Sequence, residues 1–452
     1  MSRTALHSMP SPSSNQPVVV VGGGLSGLAA AVELSSLGIP VLLLEQKPRL
    51  GGRAYSFRDE TTGEAIDNGQ HVLIAGYERT MRFLDRIGTR HLLTVQSQPL
   101  LYLHHPVRGL CEFRLPPLVP PIHFLAGILS TNLLTVPDKM RLLRAGVSLQ
   151  RAPAEHDGRT IAQWLDGQGQ SEELKRSFWE PLAISIMNEH IADAAAKVFV
   201  HVLRHAFLAG GKNAALALSR VGLSELYVDA ASSFIVRHGG RVHVNARVVG
   251  LERRQQRASG VVLRDGQPVS CSAVVVAVPH HAIADILPED EALRRFSLLA
   301  STPIVSIHLW FPHEVMKHEF VGLIGRRVQW VFNKRKIARK EHPSGHVSCV
   351  ISDAGEFVDL SNERLIRLAV EDLRTLHARV PEPTHAVVIR EKRATFACTP
   401  DADRLRPSHR TSWANVFLAG DWTNTGLPAT IEGAILSGER SAYLVAEFLR
   451  AG

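Results

Sequence analysis

The chain has 452 residues, 45% hydrophobic and 21% charged, a balance that buries a core and excludes collagen-like and largely disordered classes. At about 150 residues per unit, the length predicts roughly three structural units. Lys and Arg outnumber Asp and Glu by 51 to 43. No finger spacing, RNP-like string or Lys/Arg block shapes that +8 into a nucleic-acid footprint, so nucleic acid is not an expected partner, while an anionic membrane surface stays open.

Residues 1–17 are rich in Ser and Pro without an apolar run, which predicts a disordered tail rather than a signal peptide. Val18 to Val21 form a run of four valines suited to a strand buried on both faces, and Gly22-x-Gly24-x-x-Gly27 follows directly. Leu25, Leu28, Ala29 and Val32 then repeat at helical spacing until Gly38 and Pro40, and residues 41–44 form a second buried strand closed by Glu45. In this strand–turn–helix context the glycines provide the tight turn, the backbone approach to a pyrophosphate and the close helix–strand packing of a dinucleotide site. Phosphates meet the helix N-terminus there, and Glu45 accepts ribose hydroxyls, which disfavours NADP.

Two features select FAD over NAD. Arg49-Leu50-Gly51-Gly52-Arg53 adds a second glycine pair with arginines for the same pyrophosphate. Near the other end of the sequence, Leu418-Ala419-Gly420-Asp421 places an acid at the end of a buried strand, and a helix opening near Thr430 and Ile431 faces the flavin N1–C2=O edge. Motifs this far apart imply one cofactor domain assembled from distant segments.

Between these ends, residues 115–137 contain no Asp, Glu, Lys or Arg, but Pro116, Pro117, Pro120, Pro121 and Pro137 prevent a regular spanning helix. The segment suits either the mouth of an apolar tunnel or plain core, and Lys139, Arg141 and Arg144 follow it in a helix that Thr135 and Asp138 begin. The sequence reads as mostly helical from 115 to 225. Around 241–278 the period changes to two, with Val242, Val244, Ala246 and Val248 alternating with polar residues. A hairpin at Asp265-Gly266 and a strand over 273–278 follow. Further strands are expected at Val305–Leu309, 328–332, 347–351 and 416–418, a helix over 362–377, and a last helix from about 430.

Cys111, Cys271, Cys349 and Cys398 are far apart, which fits a reducing compartment and predicts a cytoplasmic location, with peripheral contact at the inner face of the membrane left open. His201 and His205 share a helix face, but no HExxH or nearby Cys supports them, so no metal is expected.

The stretches VVVVGGGLSGLAAAVEL, LLEQKPRLGGRA, RVHVNARVVGLE and LAGDWTNTGLPATIEGAILSG resemble the FAD-dependent amine oxidase and phytoene desaturase superfamily. IDNGQHVLIAGY, WEPLAISIMNEH, VGLSELYVD and RATFACTP are similar to the hydroxysqualene dehydroxylases of bacterial hopanoid synthesis. The resemblance implies an α/β fold: a Rossmann-like FAD-binding domain from discontinuous segments (18–114, 225–300, 391–452) and a substrate domain of mixed sheet and helices (115–224, 301–390). It also implies FAD contacts from Gly22, Gly24, Leu25, Ser26, Gly27, Glu45, Gly51, Gly52, Arg53, Gly420, Asp421, Thr430 and Ile431, with the Val248 backbone at the adenine. The implied reaction removes a hydroxyl from a long apolar isoprenoid, using reduced flavin and an electron donor that the sequence does not identify.

Such chemistry needs an acid for the leaving oxygen and a dry pocket. His71, in Asp67-Asn68-Gly69-Gln70-His71, is the first candidate, because in the superfamily this segment runs near the flavin ring; Glu180 is the second. Each also reads as a locally bonded structural residue. Two other functions stay open: a carotenoid-type desaturase or an amine or porphyrinogen oxidase, and a non-catalytic prenyl-lipid escort. The 6% aromatic content argues against an amine cage, and the intact cofactor motifs argue against the escort.

Overall fold

The computed structural model describes residues 16–149, 156–339 and 344–451; the tail expected over 1–17 lies outside them, save for Gln16 and Pro17. Five short parallel strands form one sheet in the order Arg241–His243, Val41–Leu44, Val18–Val21, Ala273–Val276, Val416–Leu418. Val18–Val21 and its neighbours Val41–Leu44 and Ala273–Val276 are buried throughout, as continuous apolar runs require when both faces are covered. Helices Leu25–Ser36 and Ile431–Ala451 cover one core, packing Leu28, Leu34, Ile435 and Val445 with Val18, Val20 and Leu43. The chain leaves the central strand at Gly22, where the sheet order reverses, and this is where ligands bind in open α/β sheets.

The alternation from Val242 to Val248, read as one strand, is two. Arg241–His243 ends the parallel sheet, and Val248–Arg254 begins an antiparallel one with Arg257–Leu263 and Pro268–Ser270. Asn245 breaks the run with a φ of 56°, while its N–H and that of Ala246 bond to the carbonyls of Lys47 and Glu45. The hairpin at Gly266 forms as expected, with φ 85°.

A second sheet of seven strands has the order His385–Phe396, Ser301–Phe311, Gly345–Ile351, Trp330–Asn333, Phe320–Leu323, Leu100–His105, Gly109–Arg114. Three of its strands do not follow the domain boundaries drawn from sequence. The hairpin 100–114 falls on the cofactor side of the boundary after 114 yet pairs here, and His385–Phe396 runs across the boundary at 391. Strand pairing over such separations leaves no local trace in composition. One face of this sheet packs Val305, Ile307, Leu309, Val347 and Cys349 against Leu365 and Ala369 of helix Asn362–Leu373.

Residues 115–225 are mostly helical, with Leu216–Ser219 as a strand beside Leu73–Ile74 and Leu93–Val95. Thr135 accepts the Asp138 N–H as the predicted helix start. Part of the segment 115–137 is core, with Phe124, Ile128 and Leu133 buried, while Val119, Ile122 and Leu129 face outward.

The two helices over the parallel sheet meet at Gly438, where an added Cβ would come within 2.2 Å of the Ser26 carbonyl oxygen and 3.0 Å of the Ala29 Cβ. Gly438→Ala is expected to lower unfolding free energy by about 1–3 kcal/mol, read as the shift of a urea midpoint at constant slope.

Candidate cofactor and active site

At the end of Val18–Val21 the backbone folds too tightly for side chains. Gly22 has φ 107°, and a Cβ there would lie 2.6 Å from the Ala277 carbonyl oxygen; at Gly27 it would lie 1.9 Å from the Gly22 oxygen. Gly24 differs, since its Cβ direction meets only the Gly52 Cα, at 4.0 Å. Gly24 caps helix Leu25–Ser36 without a side-chain acceptor, which leaves the first-turn N–H groups, Ser26 and Gly27 included, directed at that opening. Gly51 bonds through its N–H to the Gly23 carbonyl, and Gly52 faces Gly24 across the opening, both with positive φ. Glu45 is buried, its Oε2 accepting the Gly23 N–H at 2.7 Å and its Oε1 that of Lys47 at 2.8 Å. Each carboxylate oxygen keeps a second lone pair for a ribose hydroxyl. Val248 starts the strand just past Ala246, whose N–H bonds the Glu45 carbonyl, so it stands beside this ribose end.

The C-terminal motif closes on the same place. Arg53 Nη2 donates to Asp421 Oδ1 at 2.7 Å and Nη1 to the Ala394 carbonyl at 2.7 Å. The Gly420 N–H bonds Ser437 of the last helix. Thr430 Oγ1 accepts the Gly433 N–H as that helix begins at Ile431, while Glu432 turns away to accept the N–H groups of Arg79 and Thr80. Open glycine backbone, uncapped N–H groups, an arginine–aspartate pair and an acceptor-only Glu45 form a donor and acceptor set that fits FAD.

The acid candidates lie apart. His71 follows Gly69, whose carbonyl accepts from its Nδ1 at 2.9 Å, so the neutral ring presents a lone pair at Nε2. Burial holds its pKa below the ordinary imidazole value, opposed by the Gly69 bond and Asp67 and reinforced by Arg53 and Lys334. Glu180 pairs with His190 at 3.0 Å, the bond that raises the His190 pKa. It lines a cleft of about 810 Å³ with Arg326, Arg327, Asp353 and Glu356, and none of the cofactor loops reaches that cleft. The structure thus gives Glu180 a local partner and leaves His71 beside the cofactor loops. His205 Nε2 lies 2.8 Å from the Gly76 carbonyl, and among the described residues no group of three or more His, Cys, Asp or Glu is placed to hold a metal.

Arg406 and Glu189 gave no signal in the sequence. Arg406 is buried and donates to the carbonyls of Asp421 and Thr423 and to Thr425 Oγ1, which fixes the loop after Asp421. Glu189 belongs to the Asn-Glu-His triplet that ends WEPLAISIMNEH. Asn188, with φ 52°, ends its helix and bonds Thr395 Oγ1 and the Asp353 N–H, and Glu189 accepts from Thr302 Oγ1. Neither role shows in local spacing, because apart from Asp403, which pairs with Arg406 three residues on, these partners are more than ten residues away.

Residues 25–446 match the model of the flavin containing amine oxidoreductases. A hydroxysqualene dehydroxylase of Sinorhizobium fredii (strain NGR234) is 31% identical over 435 residues, 94% of this chain and 97% of that protein. One of Rhodopseudomonas palustris is 30% identical over 438 residues, 95% and 98% of the two chains. Among solved structures, a variant of putrescine oxidase superposes with a TM-score of 0.75 at 17% identity, covering 97% of this chain and 99% of that one, a likeness of fold.

Burial, with Asp353 and Asp193 nearby, pushes the Glu189 carboxyl from 4.5 up to about 7, against the Thr302 bond. Its folded pKa exceeds the unfolded one, so stability falls as pH rises from 4.5 to about 7 and is flat above. Glu189→Gln is expected to remove this slope, measured as thermal midpoint against pH for both proteins.

Proposed function

The chain belongs to the flavin containing amine oxidoreductase family, and on that premise we propose that it is an FAD-dependent oxidoreductase that reductively removes the hydroxyl of hydroxysqualene to give squalene. The observation that carries this reading is the similarity to hydroxysqualene dehydroxylases over nearly the whole chain, and an apolar cluster next to His71 agrees with it. Phe320, Phe332, Val350 and Leu218 form an apolar cluster that also packs Trp330 and Val72, the residue after His71. Apolar packing next to His71 suits a hydrocarbon substrate better than a polar amine.

When bound, reduced FAD supplies the hydride and its electron pair. The chain does the rest. First-turn N–H groups of helix Leu25–Ser36 and the Arg53 guanidinium would hold the pyrophosphate, and the start of helix Ile431–Ala451 would stabilise negative charge on the ring. The C–O bond breaks with its electron pair moving to oxygen, which leaves as water once protonated. His71 Nε2, a lone pair in the neutral ring, is the site proposed to take up a proton from solution and pass it on: burial, Arg53 and Lys334 favour the neutral ring, so the imidazolium, once formed, releases its proton readily. The apolar cluster keeps bulk water from the carbon centre.

We also propose peripheral contact with an anionic membrane. No helix among the described residues is long and apolar enough to cross one. Ile122, Leu125 and Leu129 lie on one exposed helical face, and Val136, Met140 and Val147 on another, with Arg144 between the last two. Val119 and Val136 are 68% and 72% exposed.

Protein with photoreduced FAD, mixed anaerobically with hydroxysqualene, is expected to reoxidise in step with squalene formation, faster as pH falls below neutral. Flavin that stays reduced would move the assignment to a desaturase, and protein that binds no FAD would leave the lipid-escort reading. Ile122→Asp with Leu129→Asp is expected to reduce cosedimentation with phosphatidylglycerol-containing vesicles at least about fivefold, without change in thermal midpoint.

A further inference from the structure

The seven-stranded sheet turns one face to helix Asn362–Leu373 and the other to the cofactor loops. Strand alternation puts Ser306, His308 and Trp310 on the second face, with His346 and Ser348 from the neighbouring strand. His308 and Ser348 are direct cross-strand partners, and Ser306 stands two residues along. Ser306 Oγ, Ser348 Oγ and His308 Nε2 are buried and have no hydrogen-bond partner. Three orphaned polar atoms in one patch are costly in a core unless a ligand or water completes their bonds.

The state of each atom follows from the carboxylate behind the patch. Glu64 receives Arg335 at 2.6 Å and Trp310 Nε1 at 3.3 Å, and His346, Arg335 and Trp310 hold it ionised down to about 2. A carboxylate only accepts, so His346 Nδ1, at 3.3 Å, carries the proton. Burial favours the neutral form of His346, against the Glu64 bond; with the proton on Nδ1 its Nε2 is a lone pair, and His308 Nδ1 donates to it at 3.1 Å. Burial favours neutral His308 as well; the Asp67 backbone carbonyl pulls for a proton on its Nε2, but the ionised Glu64 at the other end of the two rings is the stronger acceptor, which leaves Nε2 a lone pair with no proton to give. The patch therefore offers one acceptor and two hydroxyl donors. One alcohol group has the complementary set, one O–H and two lone pairs.

The patch also lies where a substrate would need it. Ser306 Oγ is 3.5 Å from the Cβ direction of Gly69, which His71 Cε1 approaches to 4.0 Å. Across the sheet, Ser306 pairs with Val350 and Ser348 with Phe332, both in the apolar cluster.

Building on the dehydroxylase reading, we infer that Ser306, Ser348 and His308 form the subsite that receives the single hydroxyl of the substrate, with His346 and Glu64 as positioning residues that fix the His308 tautomer. An alcohol satisfies all three atoms, and the departing water does so as well. The hydrocarbon product satisfies none, so the subsite favours substrate over product.

The test is titration of the oxidised FAD-loaded enzyme with hydroxysqualene and with squalene, each in detergent micelles, followed by the absorbance change of the bound flavin. Wild type is expected to prefer the alcohol. Ser306→Ala with Ser348→Ala is expected to weaken hydroxysqualene binding at least about tenfold and leave squalene unchanged, with a thermal midpoint equal or higher because two unpaired hydroxyls are gone. Glu64→Gln, whose amide can donate to His346 and release the other tautomer, is expected to reduce the alcohol preference while squalene binding holds. Equal losses for both ligands, a retained preference, or a fall in midpoint of the serine variant would overturn the subsite. Wild type that neither binds nor converts hydroxysqualene would remove the dehydroxylase reading and the subsite with it. Wild type that converts the alcohol while the variants keep its preference would remove the subsite alone.

Discussion

Close backbone contact around the first helix is the constraint on which the rest of the molecule depends. Gly27 lets helix Leu25–Ser36 lie against the turn at Gly22, and Gly438 lets the last helix lie against the first. Because both contacts are made without side chains, segments some 400 residues apart become neighbours. The strand Val416–Leu418 then joins the parallel sheet, and Asp421 reaches Arg53. A Cβ at either glycine would push apart the two ends of the cofactor cradle, so packing density and function are set by the same atoms.

Charge completes what the glycines allow. Asp67 accepts from Ser56 Oγ and the Leu223 N–H and pairs with Lys334 at 3.2 Å, and Lys334 also donates to Gln70 at 2.7 Å. Three separate parts of the chain thus meet behind the loop that carries His71. Arg406 does the same for the loop after Asp421, donating to two of its carbonyls and to Thr425 Oγ1. Buried charges with several bonded partners fix geometry more than they add stability, which suits loops that must hold a cofactor in one orientation.

The seven-stranded sheet separates two jobs by strand period. Its odd-numbered residues from Val305 to Phe311 serve the core under helix Asn362–Leu373, and Ser306 and His308 face the reaction side. Beside them the face becomes aromatic and aliphatic at Phe332, Phe320 and Val350. A wall that is apolar except for one polar patch suits a long hydrocarbon with one hydroxyl.

The cofactor site was legible in the sequence because its parts are local: four valines, glycines at fixed offsets, Glu45 at the end of the next strand, and Asp421 just after another buried strand. Each is a backbone or strand-end requirement written within about thirty residues. The paired face of Ser306, His308, Ser348 and His346, the bonds of Glu189 and the cage around Arg406 were not legible, since each depends on strand register or on contacts between distant segments. The sequence likewise grouped residues 100–114 with the cofactor segments, although they pair in the seven-stranded sheet, and read Val242 to Val248 as one strand, where Asn245 turns the chain. Local patterning by itself determined the fold class and the cofactor cradle. Which polar atoms end up buried without partners, and so which of them can receive a ligand, was decided only by tertiary packing, because a side chain's hydrogen-bond partners are chosen by the elements that come to lie against it.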